Sequence, residues 1–141
     1  MRWLLVPLAL LGGPAAAATW PAAVNADFLP VEQAFPVHLE WRAQGVLVSF
    51  ATAPGYALYK QRLRLDYSPR QWRMGEWQVA GRLEADDDAE PDFRERYTGP
   101  LAVFIPLVRL QHDGPGPVLT FQGCSLRGLC YPPQRTVLRR P

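Results

Sequence analysis

Prolines divide this chain into short segments, and that division limits the folds it can adopt more than any other feature. The sequence of 141 residues contains 15 prolines, spread over its whole length. A proline inside an α-helix removes a main-chain hydrogen bond and clashes with the preceding turn. Long helices are therefore not expected, whereas short segments bounded by proline, glycine and aspartate are typical of β-strands.

Apolar and polar residues alternate within these segments with the period of a strand. In AFPVHLEW the apolar positions are Phe35, Val37, Leu39 and Trp41, and Pro36 suggests an edge strand. We predict further strands in GVLVSFATA, YALYKQRLRLDY, EWQVAG, LAVFIPLVRL, PVLTFQGC and RTVLRR. The pattern predicts an all-β fold with little helix, and one β-sandwich is the architecture that suits such strands.

The first residues have the pattern of an export signal. MRWLLVPLALLGGPAAAATW begins with one arginine, continues with an apolar run over residues 3–11 and ends in a string of alanines. The run is too short to span a bilayer, which takes about 20 residues, and residues 16–18 form a small-residue cleavage site. We predict a signal peptide over residues 1–18 and a soluble periplasmic domain over residues 19–141.

The size and charge of the predicted domain exclude some classes of partner. Removing 18 of the 141 residues leaves 123, enough for a hydrophobic core that does not depend on a disulfide. Arg2 leaves with the signal peptide, so 14 basic side chains face 13 acidic ones, a net charge of +1. This balance argues against nucleic acid or an anionic membrane as a partner.

One stretch, FQGCSLRGLCYPPQ, holds the only two cysteines in the sequence, Cys124 and Cys130. If the flanking segments are adjacent antiparallel strands, the cysteines face each other at the neck of a short loop, where a disulfide forms easily. Without a second pair of cysteine or histidine ligands they do not make a zinc site, so no metal or other cofactor is predicted. The spacing alone fits a structural disulfide as well as a redox-active one.

The cysteine stretch, together with three other segments, resembles a known family. Residues 121–133 are similar to the [YF]-Q-G-C-x5-C-Y-P-P pattern of the N-terminal periplasmic domain of DsbD, the thiol:disulfide interchange protein. Residues 28–41, 54–65 and 96–107 resemble three strands of that domain, in the same order. The resemblance implies an immunoglobulin-like β-sandwich with both cysteines on a β-hairpin.

The resemblance also implies thiol–disulfide exchange. A Cys124–Cys130 dithiol would reduce an oxidised partner, such as a periplasmic disulfide isomerase or a cytochrome-maturation thioredoxin. A thioredoxin-like domain or a membrane electron conductor would then act as the donor. By resemblance, Cys130 forms the mixed disulfide with the partner and Cys124 resolves it. Full-length members of the family carry this domain, a multi-helix membrane module and a CxxC thioredoxin domain in one chain. Neither of the other two modules is found in this sequence, so donor and acceptor are expected here to be separate proteins.

Several other residues gain a supporting role through the resemblance. Tyr131 and Pro132, with the following proline, would shape the surface beside the second cysteine, because proline fixes φ and removes a donor. Tyr56 and Tyr59 match aromatic residues that lie near the hairpin in the family. At strand spacing the same two tyrosines are also suited to ordinary packing.

An acidic segment, EADDDAEPD over residues 84–92, stands where the family has a loop whose aromatic residues cover the cysteines. If it folds over the hairpin, Asp88 and Glu90 bring negative charge near the thiols, which disfavours a thiolate. The covering aromatic pair is missing, and Phe93 is the candidate to replace it unless alternation directs it to the core. The alternative is a solvated turn.

Two classes of function remain on this basis. One is a periplasmic redox carrier with a cycling disulfide. The other is a non-catalytic exported binding or chaperone module in which the disulfide is structural. The fold does not separate them, because sandwiches host many functions. The reactivity of the disulfide does.

Overall fold

A computed structural model describes residues 27–141, so the predicted signal peptide lies outside the described residues. A four-residue helix, α1 (Val31–Ala34), precedes ten strands. The strands are β1 (Val37–Arg42), β2 (Gly45–Phe50), β3 (Tyr56–Tyr59), β4 (Arg64–Asp66), β5 (Trp72–Met74), β6 (Gln78–Ala85), β7 (Glu95–Arg109), β8 (Val118–Phe121), β9 (Gly123–Ser125) and β10 (Gln134–Val137). Two 3-10 turns, Lys60–Arg62 and Pro91–Phe93, complete the regular structure.

The strands form two sheets, which confirms the predicted β-sandwich. The larger sheet has the order β1-β2-β7-β3-β9, with β5 and β6 also paired to β7, and the smaller has the order β10-β8-β4. The strand pairs are antiparallel. Pro36 directly precedes β1 at the edge of the larger sheet, where its missing N–H breaks no ladder.

Strand β7 joins the parts of the larger sheet. Its first residues pair with β3, as in Leu58 opposite Tyr97, and its later residues pair with β2, as in Val48 opposite Val103. Gly99 separates the two stretches with φ of +73°, a left-handed conformation that glycine adopts without steric cost. Strand β7 therefore connects the centre of the core to β3, and β3 in turn pairs with the strand β9.

The core lies between the two sheets. Phe50 of the larger sheet packs against Phe121 of the smaller one, with ring centroids 5.1 Å apart. Around this pair the buried core residues include Val46, Val48, Leu58, Leu101, Val103, Ile105, Leu107, Leu119 and Leu138. Burial of these side chains, at about 25 cal/mol per Å² of apolar surface, is the main term that stabilises the fold.

Three of the predicted strands are wrong in their extent. PVLTFQGC divides at Gln122 into β8 of the smaller sheet and β9 of the larger one. The segment YALYKQRLRLDY is not one strand, because the turn Lys60–Arg62 breaks it and sends β3 and β4 to different sheets. Alternation continues on both sides of the break, so the period alone does not reveal it. AFPVHLEW forms a strand only from Val37, and Phe35 is instead buried beneath the cysteine hairpin.

Candidate redox site

The cysteines lie on a hairpin at the edge of the larger sheet. Strand β9 pairs with β3, which places Cys124 opposite Ala57, and Cys130 faces Cys124 from the returning arm. The two cysteines form a disulfide, with their Cα atoms 4.0 Å apart. At the tip, Ser125 N donates to Leu129 O, and Gly128 turns the chain with φ of +109°. The predicted pairing on a hairpin is thus confirmed.

Burial distinguishes the two halves of the disulfide. Cys124 is 2% exposed, because it sits within the sheet ladder, whereas Cys130 is exposed to solvent. A thiolate from outside therefore finds the second cysteine accessible and the first one covered. This geometry makes one end of the bond available for exchange and keeps the other inside the protein.

Phe35 supports the hairpin from below. A Cβ added to Gly123 would lie 2.2 Å from the Phe35 ring, so the main chain of β9 rests directly on that ring. The same ring makes edge contacts with Tyr56 and Tyr131, at centroid distances of 5.9 and 5.8 Å. The glycine in the FQGC motif is therefore required by a close approach, and its position is set by the aromatic cluster.

Tyr56 and Tyr131 hold residues 27–30, the N-terminal segment that precedes α1, against the hairpin. The Leu29 N–H donates to the Tyr56 hydroxyl at 2.7 Å, and the Tyr131 hydroxyl donates to the Leu29 carbonyl. Burial, and after it the neighbouring Tyr56 hydroxyl and its charge, raise the pKa of Tyr131 to about 12. Arg127, at the hairpin tip, stacks on Phe28 at 5.6 Å. Sequence periodicity gave no sign of these contacts.

Tyr59 and Phe93 form a second aromatic contact on the outer face of the sheet. Their rings meet edge to face with centroids 4.9 Å apart. Alternate residues of a strand share a face and directly opposed residues do too, so Tyr59 lies on the same face as Ala57 and Cys124. Phe93 therefore packs on the cysteine side of the sheet, and the alternative that it enters the core is wrong.

Arg62 connects the acidic segment to the hairpin. Its Nε donates to Gln122 Oε1 at 2.8 Å, its Nη1 lies 3.3 Å from Asp92 Oδ2, and its guanidinium is 5.8 Å from the centre of the Phe93 ring. Gln122 Nε2 in turn donates to the Tyr131 carbonyl at 3.1 Å. Neither Arg62 nor Gln122 is among the predicted site residues, although Gln122 belongs to the FQGC motif.

The structure places the remaining predicted residues at the surface. Asp88 and Glu90 are exposed in the loop between β6 and β7, and no ion pair within residues 27–141 includes either of them. The acid of this segment that reaches the site is Asp92, through Arg62. Pro132 is exposed, and its carbonyl accepts a hydrogen bond from Gln134 Nε2 at 2.6 Å.

Residues 27–141 lack two features that would indicate another class of site. Within that part of the chain, no three histidine, cysteine or acidic side chains are grouped so that they could hold a metal ion. Among the same residues, no helix is long and apolar enough to cross a membrane.

A two-sheet sandwich with a half-buried disulfide on an edge hairpin defines a class of β-sandwich thiol–disulfide domains. The family model described as thiol:disulfide interchange protein DsbD, N-terminal, matches residues 25–140. The chain belongs to this family.

Individual relatives agree with that assignment. DsbD 1 of Pseudomonas aeruginosa is 37% identical over 108 residues, which are 76% of this chain and 18% of the relative. DsbD of Ralstonia nicotianae is 36% identical over 138 residues, which are 96% of this chain and 21% of the relative. The chain thus spans about a fifth of the length of these curated relatives.

Solved structures agree with both the fold and the family. The crystal structure of the Neisseria meningitidis DsbD N-terminal domain in the reduced form is 30% identical with a TM-score of 0.60, covering 79% of this chain and 88% of that one. The complex between the DsbD N-terminal and PilB N-terminal domains of the same organism is 28% identical, also with a TM-score of 0.60, covering 79% and 86%.

Proposed function

We propose that this chain is a thiol–disulfide exchange protein that relays reducing equivalents through Cys124 and Cys130. The observation that carries the proposal is the unequal burial of the two cysteines, 2% exposure for Cys124 against a solvent-exposed Cys130. Exchange needs one sulfur that a partner can reach and a second that resolves the product. Membership of the DsbD N-terminal family supports this function over a purely structural disulfide.

The proposed reaction conserves atoms and electrons. In the dithiol form, the Cys130 thiolate attacks a sulfur of the partner's disulfide, forming a mixed disulfide while the partner's other sulfur leaves as a thiolate. The Cys124 thiolate then attacks the Cys130 sulfur, which closes the internal disulfide and releases the partner. Two electrons pass to the partner, and its two sulfurs take up the two protons that this chain gives up.

The side chains around the hairpin have distinct roles in this proposal. Tyr131 and Pro132 form the surface beside Cys130 that a partner meets, and Pro132 exposes its ring there. Tyr59 and Phe93 form an aromatic contact on the face of the sheet that carries Cys124. Tyr56 holds the N-terminal segment in place through its hydroxyl. Asp88 and Glu90 are exposed in the loop between β6 and β7 and add negative charge to that loop.

Compartment and partners follow from the same proposal. A signal peptide over residues 1–18 would export a redox domain over residues 19–141 to the periplasm, where disulfides persist. The donor is a thioredoxin-like domain or a membrane electron conductor. The acceptor is an oxidised periplasmic protein such as a disulfide isomerase or a cytochrome-maturation thioredoxin, which makes the chain a component of a protein-disulfide reductase. The Neisseria complex with PilB supports direct contact with a folded partner domain.

The test is the rate at which the native disulfide opens. The oxidised protein is mixed with a reduced thioredoxin-like domain, samples are quenched with an alkylating reagent, and the free thiols of Cys124 and Cys130 are counted over time. A redox carrier is expected to be reduced within seconds to minutes. A disulfide that stays intact for hours in the folded protein, while the unfolded protein is reduced readily, would identify a structural bond.

A further inference from the structure

Gln122 ties the two arms of the cysteine hairpin together. It stands two residues before Cys124, and its side-chain Nε2 donates to the carbonyl of Tyr131, the residue after Cys130. Its own carbonyl accepts from Tyr59 N at 3.1 Å, which anchors it to the neighbouring strand. The second arm is therefore held at Tyr131 by this amide group together with a main-chain bond, in which Tyr131 N donates to Gly123 O at 3.0 Å.

Arg62 sets that orientation. An amide side chain has one accepting oxygen and one donating nitrogen, and the Arg62 Nε bond of 2.8 Å occupies the oxygen of Gln122. The nitrogen is then left to face the Tyr131 carbonyl. Without the arginine, the amide can rotate and bond to water instead.

The arginine is itself held in place from the other side. Asp92 pairs with its Nη1 at 3.3 Å and the Phe93 ring lies 5.8 Å from its guanidinium carbon. The planar fork of a guanidinium can make these contacts together with the Nε bond, whereas a lysine ammonium presents a single point of charge. The Arg62 side chain is 33% exposed, so the bond to Gln122 is partly shielded from water.

We propose that Arg62 is a positioning residue for thiol–disulfide exchange, which acts through Gln122 and Tyr131 to hold Cys130 beside Cys124 while the disulfide is open. The inference rests on the proposed exchange function. No bond from Arg62 to Tyr131 involves a sulfur atom, so the contacts persist in the dithiol. By raising the effective concentration of one thiol at the other, they favour ring closure and resolution of the mixed disulfide.

The equilibrium with glutathione measures this effect. Two glutathione thiols reduce the internal disulfide to the dithiol and become one glutathione disulfide, so electrons and protons balance. Loss of positioning is expected to move the equilibrium constant toward the dithiol by about fivefold in Arg62→Ala, at the low end of typical coupling effects. Arg62→Lys should show the same shift, because it keeps the charge but loses the fork. Hydrogen exchange of the Tyr131 amide in the dithiol form should accelerate in both variants.

Matched variants separate positioning from charge and from general destabilisation. Gln122→Met, which is neutral and of similar length, should reproduce the shift, and the double variant with Arg62→Ala should shift no further than either single change. Arg64→Ala removes the same charge from an exposed residue two positions away and should behave as the wild type. If Arg62→Ala does not fold, the equilibrium constants of Arg62→Lys and Arg64→Lys provide the same test.

Several outcomes would overturn the inference. These are a wild-type equilibrium constant in Arg62→Ala or Arg62→Lys, equal shifts at positions 62 and 64, or additive effects in the double variant. Failure of the proposed function looks different: the wild-type disulfide would then resist both glutathione and the thioredoxin-like domain before any variant is compared.

Discussion

At the scale of single residues, burial distinguishes the two cysteines and supports the different roles proposed for them. The sequence shows two identical side chains with five residues between them, and it is the family resemblance that indicates Cys130 as the partner-facing one. The structure adds a physical reason, since Cys124 is enclosed in the ladder with β3 and Cys130 is exposed. A thiol that a large partner cannot reach is suited to resolving a mixed disulfide rather than starting one.

Replacing Cys124 with serine should therefore trap mixed disulfides between Cys130 and a thioredoxin-like partner, because the resolving thiol is gone. Non-reducing electrophoresis followed by mass spectrometry of the linked peptides measures this. Cys130→Ser is the matched control and should trap few or none. Stable complexes formed mainly through Cys124 would reverse the assignment.

Tyr131 makes a second prediction at this scale, through pH. Its pKa is about 12 in the folded protein against an ordinary 10.0, so the folded state holds the proton more tightly than the unfolded state does. The stabilisation this gives is complete below about pH 10 and is lost as the pH rises towards 12. The free energy of unfolding, measured by urea titration between pH 9 and 12, should fall less steeply in Tyr131→Phe. Parallel curves for the two proteins would contradict the proposed environment of the hydroxyl.

At the scale of elements, the hairpin depends on a residue nearly ninety positions away in the sequence. Phe35 is not part of a strand, although the alternation of its segment includes it. It follows the short helix α1 and packs beneath Gly123 of β9. Alternation assigned it to a strand, since a pattern of period two cannot indicate a residue that packs beneath a distant hairpin. The break between β3 and β4 was missed for a related reason, because both strands keep the same period on either side of it.

Gly123→Ala should destabilise the domain by about 1–3 kcal/mol, because the new methyl group would overlap the Phe35 ring. The measurement is urea denaturation of the oxidised protein. Phe35→Leu in the same chain makes room and should recover part of the loss, so that the two changes are not additive. Equal losses with and without Phe35→Leu would show that the glycine is needed for some other reason.

The loop between β6 and β7 allows a further test. Asp88 and Glu90 are exposed, which favours the solvated alternative over direct action on the thiols. We expect the Asp88→Asn, Glu90→Gln double variant to show the same pH dependence of Cys130 alkylation as the wild type. Asp92→Asn is the comparison, because Asp92 contacts Arg62. A curve displaced in the double variant would show that the two acids act on the thiol after all.

At the scale of the whole molecule, the sequence was sufficient to predict the architecture and the disulfide between the two cysteines. Short alternating segments rich in apolar residues have few ways to bury their faces, and the cysteine stretch carries a specific pattern. The contacts of Leu29, Arg62 and Arg127 could not be predicted in the same way. They join segments far apart in the chain through individual hydrogen bonds, an ion pair and cation–π contacts, and such contacts leave no periodic trace.

The domain should stay folded without its disulfide. A crosslink that closes so short a loop contributes about 2–2.5 kcal/mol, which is a modest share of the stability of a domain of this size. The variant with both Cys124 and Cys130 changed to alanine should give a cooperative urea transition at a lower midpoint. A molten or unfolded variant would mean that the core alone does not stabilise the sandwich, and a carrier that unfolds in each cycle is untenable.

The place of β9 in the strand order has a consequence for how the molecule tolerates repeated chemistry. The larger sheet ends at β9, which is bonded to β3, whereas β7 in the interior pairs with several strands. Local opening of a terminal strand requires far less free energy than global unfolding. Hydrogen exchange should therefore show two groups of amides. Amides of the hairpin should exchange through local opening, and amides of β7 should exchange only when the whole domain unfolds. If the disulfide cycles as proposed, oxidation and reduction can disturb the terminal strand β9 while the remaining strands keep their order.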